Sequence, residues 1–122
     1  MSSNFLIRII GSHPDIAHIF IPTSLDTMTA YHLQEKIESL IRNGLYKYII
    51  NLEDVVYVSS AGIQVLHNVQ RGLRSKHGGM ILTNIPEKIS HLFDTIGVTT
   101  IFEMTDTVEQ AVEKFEPDEQ KC

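Results

Sequence analysis

Two adjacent serines, Ser59 and Ser60, are the residues of this sequence whose position best suits a chemical role. They follow a buried apolar strand and a short connection, and an amphipathic helix begins directly after them. A helix N-terminus presents unpaired backbone N–H groups and the positive end of the helix dipole, which both favour an anion. A serine hydroxyl in that position either accepts a phosphoryl group or caps the helix without modification. The residues alone leave both interpretations open.

The sequence lacks the residue patterns that usually mark a metal or catalytic site. Its six histidines are scattered without i, i+4 spacing, and its single cysteine, Cys122, is the last residue. The glycine-rich fingerprints that bind phosphate groups are absent. Ser60 precedes Ala61 and Gly62, but a hydrolase nucleophile elbow needs a glycine two residues before the serine, where Val58 stands. We therefore predict a non-enzymatic protein with no metal and no cofactor.

Length and charge narrow the class of partner. The chain has 122 residues, enough for one core, and we predict a domain over residues 1–116 with a polar tail over 117–122. A net charge of −5 argues against a nucleic-acid binder, which would carry a basic stripe. No apolar run approaches the ~18–20 residues that cross a bilayer, and the N-terminus does not read as a secretory signal. We expect a cytoplasmic protein that binds neither nucleic acid nor membrane.

Short β-branched runs and helical apolar stripes alternate along the chain. Two runs, Phe5–Ile10 and Ile16–Ile21, are separated by a loop with Gly and Pro and predict an antiparallel hairpin. Thr23 with Asp26 three residues later has the spacing of a helix start. The remaining predicted elements are a helix ending at Gly44, a strand over Tyr48–Leu52, a helix from Ala61 to about His77, a strand over Met80–Leu82, a helix from Pro86 to Gly97, a strand over Thr100–Phe102 and a helix with the capping spacing of Asp106 and Glu109.

This element order, ββαβαβαβα, predicts a single small α/β domain. Strands that alternate with helices pair in parallel through right-handed crossovers, and the first hairpin adds an antiparallel edge to a mostly parallel sheet. Functional loops of such sheets gather beyond the carboxyl ends of the parallel strands. The loops over Thr23–Asp26 and Val56–Ser60 both leave such strand ends. We therefore expect them to lie side by side on one surface.

The segment Ile49–Leu66, which contains the Ser-Ala-Gly-Ile core, resembles the signature of the STAS domains, in particular the bacterial anti-anti-sigma factors. That signature is a hydrophobic strand followed by Asp-Leu-x-x-Val-x-Phe, an apolar residue, Asp-Ser, Ser or Ala, and then Gly-Leu-x-Val-Leu. Further agreement comes from Leu25-Asp26, from Asn84 and from the spacing of Leu92 to Gly97. The likeness extends over nearly the whole chain.

The resemblance implies a partner switch. In such proteins the unphosphorylated domain binds an anti-sigma factor that is also a serine kinase, and a sigma factor is released. The kinase then phosphorylates the motif serine, the complex separates, and a serine phosphatase resets the domain. The matching acceptor in this sequence is Ser60, and the resemblance places Asp26, Ser59, Gly62 and Ile63 on the partner-binding surface.

Two positions depart from the family pattern. The aspartate that precedes the acceptor is Ser59 here, and the strand aspartate is Asn51. The first change removes a negative charge beside Ser60 and makes Ser59 an alternative acceptor, although its simpler interpretation is a helix cap. Asp26 has the alternative interpretation of a residue that begins a helix. Gly62 has the alternative interpretation of a residue that allows a helix to pack closely against a strand.

Two other functions remain open at this point. A stand-alone STAS subunit of a membrane transport complex, or a small-ligand sensor, would keep the fold and change the partner. An enzyme of unknown type is disfavoured, because no catalytic constellation is present. The residues do not identify the sigma factor or the kinase.

Overall fold

A five-stranded sheet forms the centre of the computed structural model, which describes residues 5–10 and 16–115. Its strand order is β1-β2-β4-β6-β7. β1 (Leu6–Ile10) pairs antiparallel with β2 (Ile16–Phe20), whereas β4 (Lys47–Asn51), β6 (Gly79–Thr83) and β7 (Glu103–Thr105) continue the sheet in parallel. The predicted hairpin and the mostly parallel sheet are therefore confirmed. The hairpin loop over residues 11–15 and the predicted tail over 117–122 lie outside the described residues.

Four helices cover the two faces of this sheet. They are α1 (Thr27–Arg42), α2 (Ser60–Arg74), α3 (Glu87–Ile96) and α4 (Val108–Phe115). Successive side chains of a strand point to opposite faces, so Tyr48 and Ile50 join the larger core with α1, α2 and α3, whereas Ile49 packs against α4. β4 is buried on both faces, as its continuous apolar run predicts.

A second, two-stranded sheet was not predicted, and it connects the two loops of interest. β3 (Ser24–Leu25) pairs in parallel with β5 (Tyr57–Val58). Backbone hydrogen bonds extend the pairing on both sides, from Val56 N to Thr23 O (2.8 Å) and from Ser59 N to Leu25 O (2.9 Å). The expectation that these loops lie side by side is thus confirmed.

Three predicted boundaries were wrong. α1 is capped by Asp26 itself, since Thr23 is held in the β3 pairing. The last strand is β7 and not Thr100–Phe102, because a turn at Val98 directs Phe102 into the core. α4 begins one residue later than the Asp106–Glu109 spacing suggests, since Thr107 Oγ1 accepts the N–H of Gln110 at 3.1 Å. Within the described residues, no helix has the length and apolar character that crossing a membrane requires.

Candidate functional site

Ser59 is the N-cap of α2, and its hydroxyl is fully engaged. The backbone at Ser59 is extended (φ −87°, ψ 168°), and its Oγ accepts the N–H of Gly62 at 3.0 Å. The same hydroxyl donates to the carbonyl of Leu25 at 3.2 Å. It therefore satisfies one of the unpaired N–H groups of the helix and also attaches the helix start to β3. The prediction that Ser59 is a cap is confirmed.

Gly62 lies where α2 approaches β3 most closely. A Cβ atom at this position would lie 2.5 Å from the backbone carbonyl oxygen of Leu25, so only glycine fits without a shift of the backbone. The residue is buried. The interpretation of Gly62 as a close-packing residue is confirmed, whereas a direct contact with a partner stays a prediction.

Ser60 differs from its neighbour because its side chain is exposed. It is the first residue of α2 and faces solvent. Its hydroxyl makes no hydrogen bond within the described part of the chain. Since the first turn of α2 contains no acidic residue, the positive end of its dipole is not compensated by a carboxylate there. A phosphoryl group on Ser60 would meet this end of the helix.

Asp26 is the N-cap of α1, as Ser59 is of α2. Its Oδ1 accepts the N–H of Thr29 at 2.9 Å, and that hydrogen bond holds the pKa of the carboxyl below its usual range. Asp26 directly follows Leu25, whose carbonyl binds Ser59, so the two helix starts lie at one end of the small sheet. The charge of Asp26 is therefore fixed near the start of α2.

An open groove of about 480 Å³ lies beside Ser60, between the start of α2 and the end of α3. None of the side chains that line it carries a formal charge. The lining residues are Tyr57, Val58, Ser59, Ser60, Ile63, Gln64, Leu92 and Ile96. Ile63, a predicted partner-binding residue, is half-buried and forms part of this wall. The groove offers apolar contact area around a single serine hydroxyl.

Exposed apolar residues near the groove were missed by sequence reasoning. The side chain of Val56 is 73% exposed and that of Tyr57 is 55% exposed, so two adjacent apolar side chains face solvent beside the groove. Ile96, in the helix predicted from Pro86 to Gly97, is 46% exposed, because it lies in the last turn, beyond the core contacts of Ile89 and Phe93. The signal in the sequence was an apolar pair, Val56 and Tyr57, between the buried strand and the two serines.

Metal binding finds no support in the described segments. There, no group of three or more His, Cys, Asp or Glu side chains is arranged to hold an ion. The exposed apolar area, the neutral groove and the accessible hydroxyl instead suit contact with a macromolecule, in which aromatic and aliphatic side chains form the buried centre.

The proteins of similar sequence include anti-sigma-B factor antagonists. The anti-sigma-B factor antagonist of Bacillus subtilis (strain 168) is 29% identical over 93 residues, which cover 76% of this chain and 84% of that protein. The corresponding protein of Listeria monocytogenes is 26% identical over 102 residues, which cover 83% of this chain and 89% of that protein.

Solved structures show the same fold. The Bacillus cell fate determinant SpoIIAA in its phosphorylated form superposes with a TM-score of 0.71 at 23% identity, covering 93% of this chain and 100% of that one. An anti-sigma factor antagonist of Mycobacterium paratuberculosis gives 0.76 at 18% identity, covering 93% and 97%. The sequence profile of the STAS domain matches residues 9–111. This chain therefore belongs to the STAS domain family.

Proposed function

We propose that this protein is an anti-sigma factor antagonist. In the proposal its unphosphorylated form binds an anti-sigma factor that is also a serine kinase, and so releases a sigma factor. Phosphorylation of Ser60 ends that binding. The proposal rests on the difference between the two serines. The hydroxyl of Ser59 is held as a helix cap. The hydroxyl of Ser60 is exposed and lies beside an uncharged groove.

The location of Ser60 explains how phosphorylation would act without unfolding the domain. A phosphoserine carries about −1.5 to −2 charges near neutral pH. At the first position of α2 this charge meets the positive end of the dipole, so the fold tolerates it. In a complex, the same charge would have to be desolvated against apolar groups with no cation among the groove residues, which is costly. The switch therefore acts on the interface.

The remaining parts of the proposal rest on the resemblance to the anti-anti-sigma factors and on the sequence-based expectations above. The domain is a substrate and a binding partner, not a catalyst, and it needs no cofactor. A serine phosphatase removes the phosphate from Ser60, and the phosphorylation and dephosphorylation take place in the cytoplasm. The family relationship and the solved structures of SpoIIAA in both its unphosphorylated and phosphorylated forms support a phosphorylation cycle.

The test is the substitution Ser60→Asp, measured for both affinity and thermal stability. Because Ser59 supplies the cap, the new carboxylate removes no capping bond and gains about 0.3–1 kcal/mol from the dipole. We expect an unchanged or slightly higher Tm and a loss of affinity for the anti-sigma factor of at least about tenfold, or ~1.4 kcal/mol.

Ser60→Asn is the matched control, since it has nearly the same size and no charge. It should keep most of the affinity. A large loss of Tm in Ser60→Asp with unchanged affinity would show that Ser60 has a structural role and would overturn the proposal.

A further inference from the structure

A buried pair of side chains lies beneath the connection that leads to the two serines. His18 of β2 and Asn51, the last residue of β4, are 6% and 3% exposed. His18 Nε2 and Asn51 Nδ2 are 3.2 Å apart, and Asn51 Oδ1 accepts the backbone N–H of Glu53 at 2.9 Å. Asn51 thus joins the sheet to the first turn of the connection over residues 52–56.

These two contacts fix where the proton of His18 resides. A backbone N–H donates only to an acceptor, so the carbonyl oxygen of Asn51 must face Glu53, and its NH2 group must face His18. His18 Nε2 therefore accepts this hydrogen bond, and the neutral ring carries its proton on Nδ1. Protonation of Nε2 would place two donors against each other. If the Asn51 amide rotated to avoid this, its NH2 group would face the N–H of Glu53.

The surroundings of His18 also oppose a positive charge. Arg8 of β1 is its register partner and lies over the ring of Phe20, which packs 4.2 Å from the His18 ring between centroids. Burial and the charge of Arg8 hold the pKa of His18 below its ordinary value. The other charged residue on this face of β4, Lys47, lies at the opposite end of the strand. α4 presents Val108, Ala111 and Val112 to this face.

The connection continues from Glu53 directly to the site. Val55 N donates to Leu52 O at 3.0 Å, Val56 N donates to Thr23 O at 2.8 Å, and the β3–β5 pairing then leads to Ser59. We propose that neutral His18 is a positioning residue, which orients the Asn51 amide so that it holds the N–H of Glu53, and that protonation of His18 breaks this hydrogen bond and frees the first turn of the connection. Leu52 N still donates to Thr83 O at 3.0 Å, and the buried side chains of Leu52 and Val55 stay in the core.

The consequence for binding rests on the proposed function, whereas the proton position and the coupling to Glu53 do not. The freed turn at the exposed residues Glu53 and Asp54 leads to Val56 and Tyr57 beside the groove, so affinity for the anti-sigma factor should fall with His18 protonation. The release is a property of the isolated domain and is measured without any partner. The coupling of His18 to Glu53 can therefore be tested, and can fail, independently of the effect on binding.

The experiment is a pH titration of the full chain by NMR, from about pH 7.5 to 5, above the ordinary range of carboxyl groups. In the wild type, the ring nitrogen signals of His18 should show the proton on Nδ1 at pH 7.5. The amide signal of Glu53 should then shift with the same midpoint as the His18 ring, below pH 6.5. A proton on Nε2, a ring still neutral at pH 5, or a Glu53 amide that does not move would each overturn the proposal.

Two variants separate this coupling from a general effect of pH. His18→Gln offers a carbonyl acceptor that does not titrate, so the shift of the Glu53 amide should disappear. Asn51→Asp keeps the acceptor for Glu53 and adds a carboxylate beside the ring, so the midpoint of His18 should move upward. A Glu53 titration that persists in His18→Gln, or a midpoint that falls in Asn51→Asp, would assign the effect to another group.

Discussion

The first turns of α1 and α2 have almost the same geometry and differ in charge. Asp26 (φ −90°, ψ −172°) and Ser59 (φ −87°, ψ 168°) each accept the N–H of the residue three positions later, at 2.9 and 3.0 Å. Both caps sit at the end of the two-stranded sheet. At α1 the cap is a carboxylate whose lowered pKa keeps it ionised. At α2 the cap is neutral and no acid follows it in the first turn.

In the proposed function, this difference explains why the start of α2 would serve as the switch. A negative group near a helix N-terminus is stabilising, and α1 already has one in its own sequence. The first turn of α2 contains no acidic residue, and phosphorylation of Ser60 would place a negative group within that turn. A neutral serine, Ser59, maintains the α2 cap, so in the proposed switch the cap and the added charge belong to different residues.

The largest effect on stability should come from Gly62→Ala, which tests the junction of α2 with β3. The new Cβ would lie 2.5 Å from the carbonyl oxygen of Leu25, the acceptor of two hydrogen bonds from Ser59. Backbone cannot move away as easily as a side chain, so we expect a loss of about 1–3 kcal/mol in the free energy of unfolding. Chemical denaturation measures it.

Gly72→Ala is the matched control in the same helix. A Cβ there meets no atom within 4 Å, and the residue is exposed. Alanine should stabilise this position by about 0.5–1 kcal/mol through helix propensity alone. Equal effects of the two substitutions would contradict the close approach at Gly62.

A smaller effect should separate the two serines. Ser59→Ala removes the cap and its bond to Leu25, so we expect a loss of about 1 kcal/mol in the free energy of unfolding. Ser60→Ala removes an exposed hydroxyl and should stay within about 0.5 kcal/mol of the wild type. The pair is compared by thermal and chemical denaturation. If Ser60→Ala proved the more destabilising, the assignment of the cap would be wrong.

The smallest effect concerns the charge of Asp26. Asp26→Asn keeps the capping oxygen and removes the carboxylate, and asparagine caps about equally well. Because the folded pKa of Asp26 is lowered, its charge stabilises the fold above the unfolded value of 3.8, and this contribution is lost as pH falls through the folded pKa. The wild type should therefore exceed Asp26→Asn slightly in Tm at neutral pH, by less than the Ser59→Ala effect, and the difference should vanish at acidic pH.

The sequence predicted the fold well because its signals were local and periodic. The alternating β-branched runs located the hairpin and β4, and Gly97 ends α3 in the left-handed conformation (φ 80°) that favours glycine. The two serines were placed correctly at a helix start for the same reason. The sequence already favoured Ser59 as the cap, whereas its second bond, to the carbonyl of Leu25, and the exposure of Ser60 became visible only in the structure.

The features that the sequence did not predict depend on contacts between segments distant along the chain. Two-residue strands such as β3 and β5 are too short for a periodic pattern, so Thr23 was read as a helix start although it pairs with Val56. The exposure of Ile96 likewise depends on where α3 ends relative to the core, and that of Tyr57 on its place in the short strand β5. The contact of His18 with Asn51 joins residues 33 positions apart, which no local spacing reveals.

The central claim, that Ser60 receives the phosphate while Ser59 maintains the helix, is tested most directly by phosphosite mapping. The wild type, Ser60→Ala and Ser59→Ala are incubated with candidate serine kinases and ATP, and the products are mapped by mass spectrometry. The account predicts phosphate on Ser60 in the wild type, nearly complete loss of incorporation in Ser60→Ala, and continued phosphorylation of Ser60 in Ser59→Ala. Undiminished incorporation in Ser60→Ala together with its loss in Ser59→Ala would contradict it.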